Sequence, residues 1–127
     1  MNPPAKHYLA EYYGCSRAIL NDYESIGKIL TGAAERAGAR IVKSFFHQYA
    51  PHGISGVVII AESHLAIHTW PEYGYAAVDL FSCSALEYEK AFIFIKQGLE
   101  SKKVQACSIE RGSGRDMAGG LTVLELQ

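Results

Sequence analysis

Apolar residues are concentrated in the middle of the chain, in short runs broken by turn residues. Residues 55–61, Ser-Gly-Val-Val-Ile-Ile-Ala, are apolar and β-branched and predict a buried strand. Residues 65–70 and 75–82 predict two more, with Pro71-Glu72-Tyr73-Gly74 as the turn between them. Residues 41–49 form a strand ahead of these, closed by the turn Pro51-His52-Gly53. The aromatic stretch 7–13, ended by Gly14, is the first strand, and residues 104–109 are the sixth. In two places the apolar period becomes helical. Ile26, Ile29, Leu30 and Ala33 follow a cap at Asn21-Asp22 and stop at Gly38. Ala91, Phe92, Ile95 and Leu99 share one face of a helix over residues 87–99. The tail from Gly112 is glycine-rich and weakly determined.

Strands gathered mid-chain with one helix near each end predict an α+β two-layer sandwich. The sheet is mostly antiparallel, with two helices on one face. The other face must meet water or a second copy of the chain.

The turn at Pro71 to Gly74 sets a register. Trp70 lies opposite Tyr75, His68 opposite Ala77, His64 opposite Phe81 and Glu62 opposite Cys83. By alternation, His64, His68, Asp79, Phe81 and Cys83 share a face. If Glu62-Ser63 is itself a two-residue turn, Ser55 lies opposite Trp70, diagonal to His68. Two polar clusters result, Glu62/Ser63/Cys83 and Ser55/His68/Glu72, about 16 Å apart along the strand at ~3.3 Å per residue. Straight strands keep them apart within one chain. Two chains packed antiparallel through the open sheet face bring them together.

Length and composition narrow the setting. The 127 residues suit one domain, long enough to fold without disulfides. Twelve basic against thirteen acidic residues leave no basic footprint for nucleic acid. No apolar run is long enough to span a bilayer, and the N-terminal Met-Asn-Pro-Pro-Ala-Lys lacks the apolar core of a signal peptide. The expected location is the cytoplasm. Cys15, Cys83 and Cys107 are odd in number and widely spaced, so reduced thiols are expected.

The mid-chain polar residues carry the candidate chemistry. Ser63 can be a plain turn residue. It can also be an internal nucleophile whose hydroxyl attacks the Glu62 carbonyl and turns the amide into an ester. β-Elimination then splits the chain and leaves a dehydroalanine that hydrolyses to a pyruvoyl group. That ketone can form a Schiff base with a substrate amine and act as an electron sink. His64 and His68 share a strand face, but no third ligand stands at motif spacing, so no metal is expected. His68 is either a hydrogen-bonded structural residue or a base suited to neutral pH. Cys83 is a small buried hydrophobe or, beside Ser63, a proton donor. Glu72 is solvated or binds hydroxyls or a cation. Tyr49, Trp70 and Tyr73 pack, or stack on a flat ligand.

From Pro51-His52-Gly53-Ile54-Ser55-Gly56 through Ala61-Glu62-Ser63-His64 and Trp70-Pro71-Glu72-Tyr73-Gly74 to Cys83, the chain resembles the prokaryotic S-adenosylmethionine decarboxylase proenzymes. The resemblance runs from His7 to about Gly112. It implies a self-cleaving, pyruvoyl-dependent carboxy-lyase cut into residues 1–62 and 63–127. It implies that Ser63 becomes the pyruvoyl group, that His68 is the processing base aided by Ser55, and that Cys83 is the proton donor. Glu72 matches the carboxylate that holds the ribose hydroxyls, and Tyr49 the ring that stacks on adenine, with tyrosine where phenylalanine is usual. The implied product is the aminopropyl donor for spermidine, and the implied assembly is a homodimer with shared sites. After Cys83, Ser84-Ala85-Leu86 departs from the expected glycine-acidic turn, and the tail also differs. Similar proteins decarboxylate arginine or ornithine, so those substrates stay open. So does a non-processing binding or regulatory subunit. A metal-dependent hydrolase is the most remote alternative.

Overall fold

The computed structural model describes residues 4–126. The start of the N-terminal stretch read against a signal peptide, residues 1–3, lies outside the described residues. The strands are β1 (Ala5–Tyr13), β2 (Ile41–Gln48), β3 (Ile54–Ile60), β4 (Ser63–Trp70), β5 (Tyr75–Ser82), β6 (Lys103–Arg111) and β7 (Leu121–Leu124). They form one sheet in the order β2-β3-β4-β5-β1-β6-β7, and every neighbouring pair is antiparallel. The helices are α1 (Arg17–Leu20), α2 (Tyr23–Arg36) and α3 (Tyr88–Gly98).

The α+β sandwich expected from the apolar pattern is the observed architecture. Asp22 caps α2 by accepting from the Ser25 backbone N–H at 3.0 Å. Hydrogen bonds from the Ser25 hydroxyl and then its backbone hold the Asp22 carboxyl below its ordinary pKa. Gly38, at φ 84°, ends the helix, with Gly38 N–H donating to Glu35 and Ala39 N–H to Ala34. The buried residues Ile26, Leu30 and Ala33 of α2 and Ala91, Phe92 and Ile95 of α3 share one core with Leu65, Ile67, Val78 and Leu80 of the sheet. Among the described residues no helix covers the opposite face. That face exposes or half-exposes Leu9, Phe45, Ile59, His68 and Trp70.

One element near the start and two in the tail, the short 3-10 turn Met117–Gly120 and the strand after it, were not expected. A third helix, α1, is a single turn capped by Ser16, whose side chain accepts from the Ile19 N–H. It buries Leu20, one apolar residue, too few to show a period. The tail forms β7 against β6, pairing Cys107 with Val123 and Ala106 with Leu124. Among the described residues no helix is long and apolar enough to cross a membrane.

The central register is partly as expected. Trp70 pairs with Tyr75, His68 with Ala77 and His64 with Phe81. Pro71 starts a 3-10 turn and Gly74 closes it at φ 61°, the left-handed conformation glycine adopts most cheaply. The β3–β4 turn is corrected. Ile60 pairs with Ser63, so the turn residues are Ala61 and Glu62, and Ser63 is the first residue of β4. The one-residue shift sets Ser55 directly opposite His68 rather than opposite Trp70.

Candidate functional site

Ser63 follows directly on a tight turn. Glu62, before it, is held at φ 62°. For a residue with a side chain, that conformation costs about 1–2 kcal/mol. Ser63 is 92 % buried, being only 8 % exposed. Its Oγ accepts a hydrogen bond from the Cys83 backbone N–H at 3.1 Å. That N–H also steadies any negative charge developing on the oxygen. Cys83 lies just past β5 with its side chain exposed. Glu62, Ser63 and Cys83 are therefore together, as the register required.

Tyr49, Ser55, His68 and Glu72 gather at the other end of β4, around a cavity of about 320 Å³ that His52 and Trp70 also line. The Tyr49 hydroxyl donates to Ser55 Oγ at 3.0 Å. Ser55 Oγ lies 2.8 Å from His68 Nδ1. When Nδ1 carries the proton and donates it to Ser55, the lone pair stays on Nε2, free to take a proton. The other tautomer spends the Nδ1 lone pair on the serine hydroxyl. On the mouth side Trp70 stacks on Tyr75 with centroids 5.2 Å apart, and Tyr75 on Tyr13 at 5.6 Å. Burial, and then a hydrogen bond to Glu11, push the Tyr75 hydroxyl well above its ordinary pKa, so it stays neutral.

Below this layer Thr69 is buried, and it ties three elements. Its hydroxyl accepts from the Ile54 N–H at 2.9 Å and donates to the Leu20 carbonyl at 2.8 Å. The otherwise unexpected α1 thereby fixes the start of β3, where Ser55 sits.

The two groups do not meet within the chain. Ser63 and His68 are five residues apart on one strand, about 16 Å, and an odd separation sends their side chains to opposite faces. Cys15 is buried, and burial raises its pKa, so it remains a thiol. Cys107 is half-buried on β6.

His64 gathers with residues other than His68, the partner weighed for it as a metal ligand from the sequence. It lies with His7 and Asp79, their ligating atoms within 4.8 Å of one another. His7 Nε2 is 3.1 Å from Asp79 Oδ2, and Arg111 Nη1 is 3.4 Å from His7 Nδ1. A metal-bound imidazole needs an acceptor on its second nitrogen, and here a guanidinium donor stands there. The three side chains and Arg111 form a polar cluster on the open face.

His52 was missed. Its Nε2 lies 3.2 Å from Glu72 Oε1. In the sequence it was only the middle of a turn, and two separate turns give no local signal of their contact.

Comparison with known proteins gives a consistent result. The family model described as S-adenosylmethionine decarboxylase matches residues 6–112. An S-adenosylmethionine decarboxylase proenzyme of Thermosipho melanesiensis is 49 % identical over 113 residues, covering 88 % of this chain and 87 % of the relative. The proenzyme of Thermotoga maritima is 48 % identical over the same shares. The crystal structure of the adenosylmethionine decarboxylase from Aquifex aeolicus is similar at a TM-score of 0.81 and 33 % identity, over 91 % of this chain and 97 % of that one.

Proposed function

The chain belongs to the S-adenosylmethionine decarboxylase family, and we propose that it makes its own pyruvoyl group from Ser63 and works as a cytoplasmic homodimer. It is a carboxy-lyase that converts S-adenosylmethionine to decarboxylated S-adenosylmethionine and CO₂. The relatives' names favour this substrate over arginine or ornithine. The product serves as the aminopropyl donor for spermidine.

One observation supports the self-cleavage most directly. Ser63 Oγ is held by the Cys83 N–H immediately after a left-handed, strained Glu62. The Ser63 hydroxyl attacks the Glu62 carbonyl carbon, the C–N bond breaks, and an ester with a free Ser63 amine remains. His68 removes the Ser63 α-proton. That electron pair forms the Cα–Cβ double bond as Cβ–O breaks and frees the Glu62 carboxylate. Hydrolysis of the resulting dehydroalanine releases ammonia and leaves the pyruvoyl group. The site fits this product. Ser63 is shielded, has a donor at its oxygen, and has a thiol-bearing neighbour next to it.

Once formed, the pyruvoyl group supplies an electrophilic ketone that draws electrons from the bond to the substrate carboxylate. Cys83 gives its thiol proton to the carbon that has lost CO₂. Glu72 accepts hydrogen bonds from the ribose hydroxyls, and Tyr49 stacks on the adenine ring.

Proton transfer needs contact at about 3 Å or one bridging water. His68 of the same chain is about 16 Å from Ser63 along the strand. A second copy, antiparallel across the open face, brings its His68 end over the Cys83 end of the first, beside the Ser63 backbone that carries the α-proton, while Ser63 Oγ points to the covered side. It makes two equivalent sites at once. It also covers Phe45, Ile59 and Trp70, which a lone chain leaves exposed.

The test is CO₂ release measured side by side on S-adenosylmethionine, ornithine and arginine. Turnover of S-adenosylmethionine alone supports the assignment. Preference for either amino acid overturns it.

A further inference from the structure

From the contact between two loops we infer that His52 is a positioning residue for substrate recognition, acting through Glu72. The inference rests on the reading of Glu72 as the carboxylate for the ribose hydroxyls.

Both loops are held by hydrogen bonds other than the contact between His52 and Glu72. The His52 loop is held where Gly53 N–H donates to Asn21 Oδ1 at 2.9 Å and Tyr49 N–H to the Gly53 carbonyl at 2.9 Å. The Glu72 turn is held where Gly74 N–H donates to the Pro71 carbonyl at 3.2 Å and Cys15 N–H to the Gly74 carbonyl at 2.9 Å. The 3.2 Å contact of His52 Nε2 with Glu72 Oε1 joins the two.

The pair also divides two spaces. On one side is the cavity lined by Tyr49, Ser55, His68 and Trp70. On the other is a cavity of about 490 Å³ lined by Arg17, Asn21 and Asp22. His52 and Glu72 line both. Both side chains are 38 % exposed. A glutamate this exposed samples several rotamers unless something holds it. Two neighbouring hydroxyls on a ribose need both carboxylate oxygens presented in one plane. The His52 ring, with Nε2 3.2 Å from Oε1, restricts the rotation of that plane and leaves Oε2 clear for the hydroxyls. His52 therefore prepays the ordering of Glu72 and keeps it from turning into the second cavity.

The experiment compares processed wild type with His52→Leu, His52→Gln, Glu72→Gln and the His52→Leu/Glu72→Gln double variant. It uses S-adenosylmethionine and its 2′-deoxy analogue. His52→Leu should raise KM for S-adenosylmethionine about 3–10-fold, the scale of fixing one flexible side chain. Its kcat and self-cleavage should stay within about twofold, because the lost term is uniform binding. His52→Gln keeps an N–H at the position of Nε2 and should restore most of the affinity. Adding His52→Leu to Glu72→Gln should cost less than adding it to wild type. The 2′-deoxy analogue should feel the substitution less than S-adenosylmethionine does. An unchanged KM in His52→Leu overturns the inference, as does an equal loss in the Glu72→Gln background. Parallel loss of kcat, cleavage and melting temperature in both His52 variants also overturns it, since the residue is then structural. If Glu72→Gln itself leaves KM unchanged, the ribose reading fails and the inference fails with it. That result is separate from failure of His52 alone.

Discussion

Removing one hydroxyl, in Ser55→Ala, should slow self-cleavage without abolishing it. Ser55 Oγ is 2.8 Å from His68 Nδ1, and Ser55 is locked opposite His68 by strand register. Between neutral partners such a hydrogen bond is worth about 1 kcal/mol. As Nε2 takes the Ser63 α-proton the ring becomes charged, and a bond to a charged donor is worth about 1.5–3 kcal/mol. The difference, about 0.5–2 kcal/mol, belongs to the transition state and converts to about 2–30-fold in rate. His68→Ala should lose much more, about 10²–10⁴-fold, because the base itself is gone. Tyr49→Phe removes the donor behind Ser55 and should cost less than Ser55→Ala. The assay is the time course of fragment appearance from freshly isolated uncut chain, read by mass spectrometry. Cleavage of Ser55→Ala at the wild-type rate refutes the reasoning. So does a loss as large as that of His68→Ala, which would make Ser55 a primary proton-transfer group.

Cys83→Ala should cleave but lose about 10²–10⁴-fold in decarboxylation, while Cys15→Ser, at a buried thiol remote from Ser63, should change turnover little; equal losses would indicate a folding defect. A refolded mixture of Ser63→Ala and His68→Ala chains should regain cleavage and activity that neither has alone, and an inactive mixture with proven subunit exchange would mean the site lies within one chain. At alkaline pH the fold should weaken through Tyr12, whose hydroxyl donates to the Phe92 carbonyl at 2.8 Å and whose pKa burial raises well above 10. That contribution is whole below the unfolded tyrosine pKa of ~10 and is lost as pH rises through the higher folded value. Urea midpoints at pH 8 and above pH 10 should fall less in Tyr12→Phe than in wild type, and parallel falls would exclude Tyr12 as the cause.

The sequence made the β4–β5 hairpin legible because its turn carries the right chemistry. Pro71 enters it, Gly74 leaves it at φ 61°, and unbroken alternation on both sides pins the register. The β3–β4 turn was off by one because the left-handed position holds Glu62, where the usual signal is glycine or asparagine. Strain there erased the cue that would have located the turn. The tail was illegible for a different reason. Leu121–Leu124 is a four-residue strand whose partner β6 and core contacts lie outside its own pattern. Ser63 beside Cys83 followed from register alone. Register also brought Ser55 near His68, though one pair out of place, while the contacts of Tyr49 with Ser55 and of His52 with Glu72 join separate loops and strands and leave no trace in periodicity.

The most direct test of self-cleavage at Glu62–Ser63 is the intact mass of the purified chain, with the Ser63→Ala chain alongside. The account predicts two wild-type fragments, residues 1–62 and 63–127. The second should lack an α-amino group and react as a ketone with a hydrazine, and Ser63→Ala should remain one uncut, inactive chain. An active wild-type protein of full-length mass would contradict it.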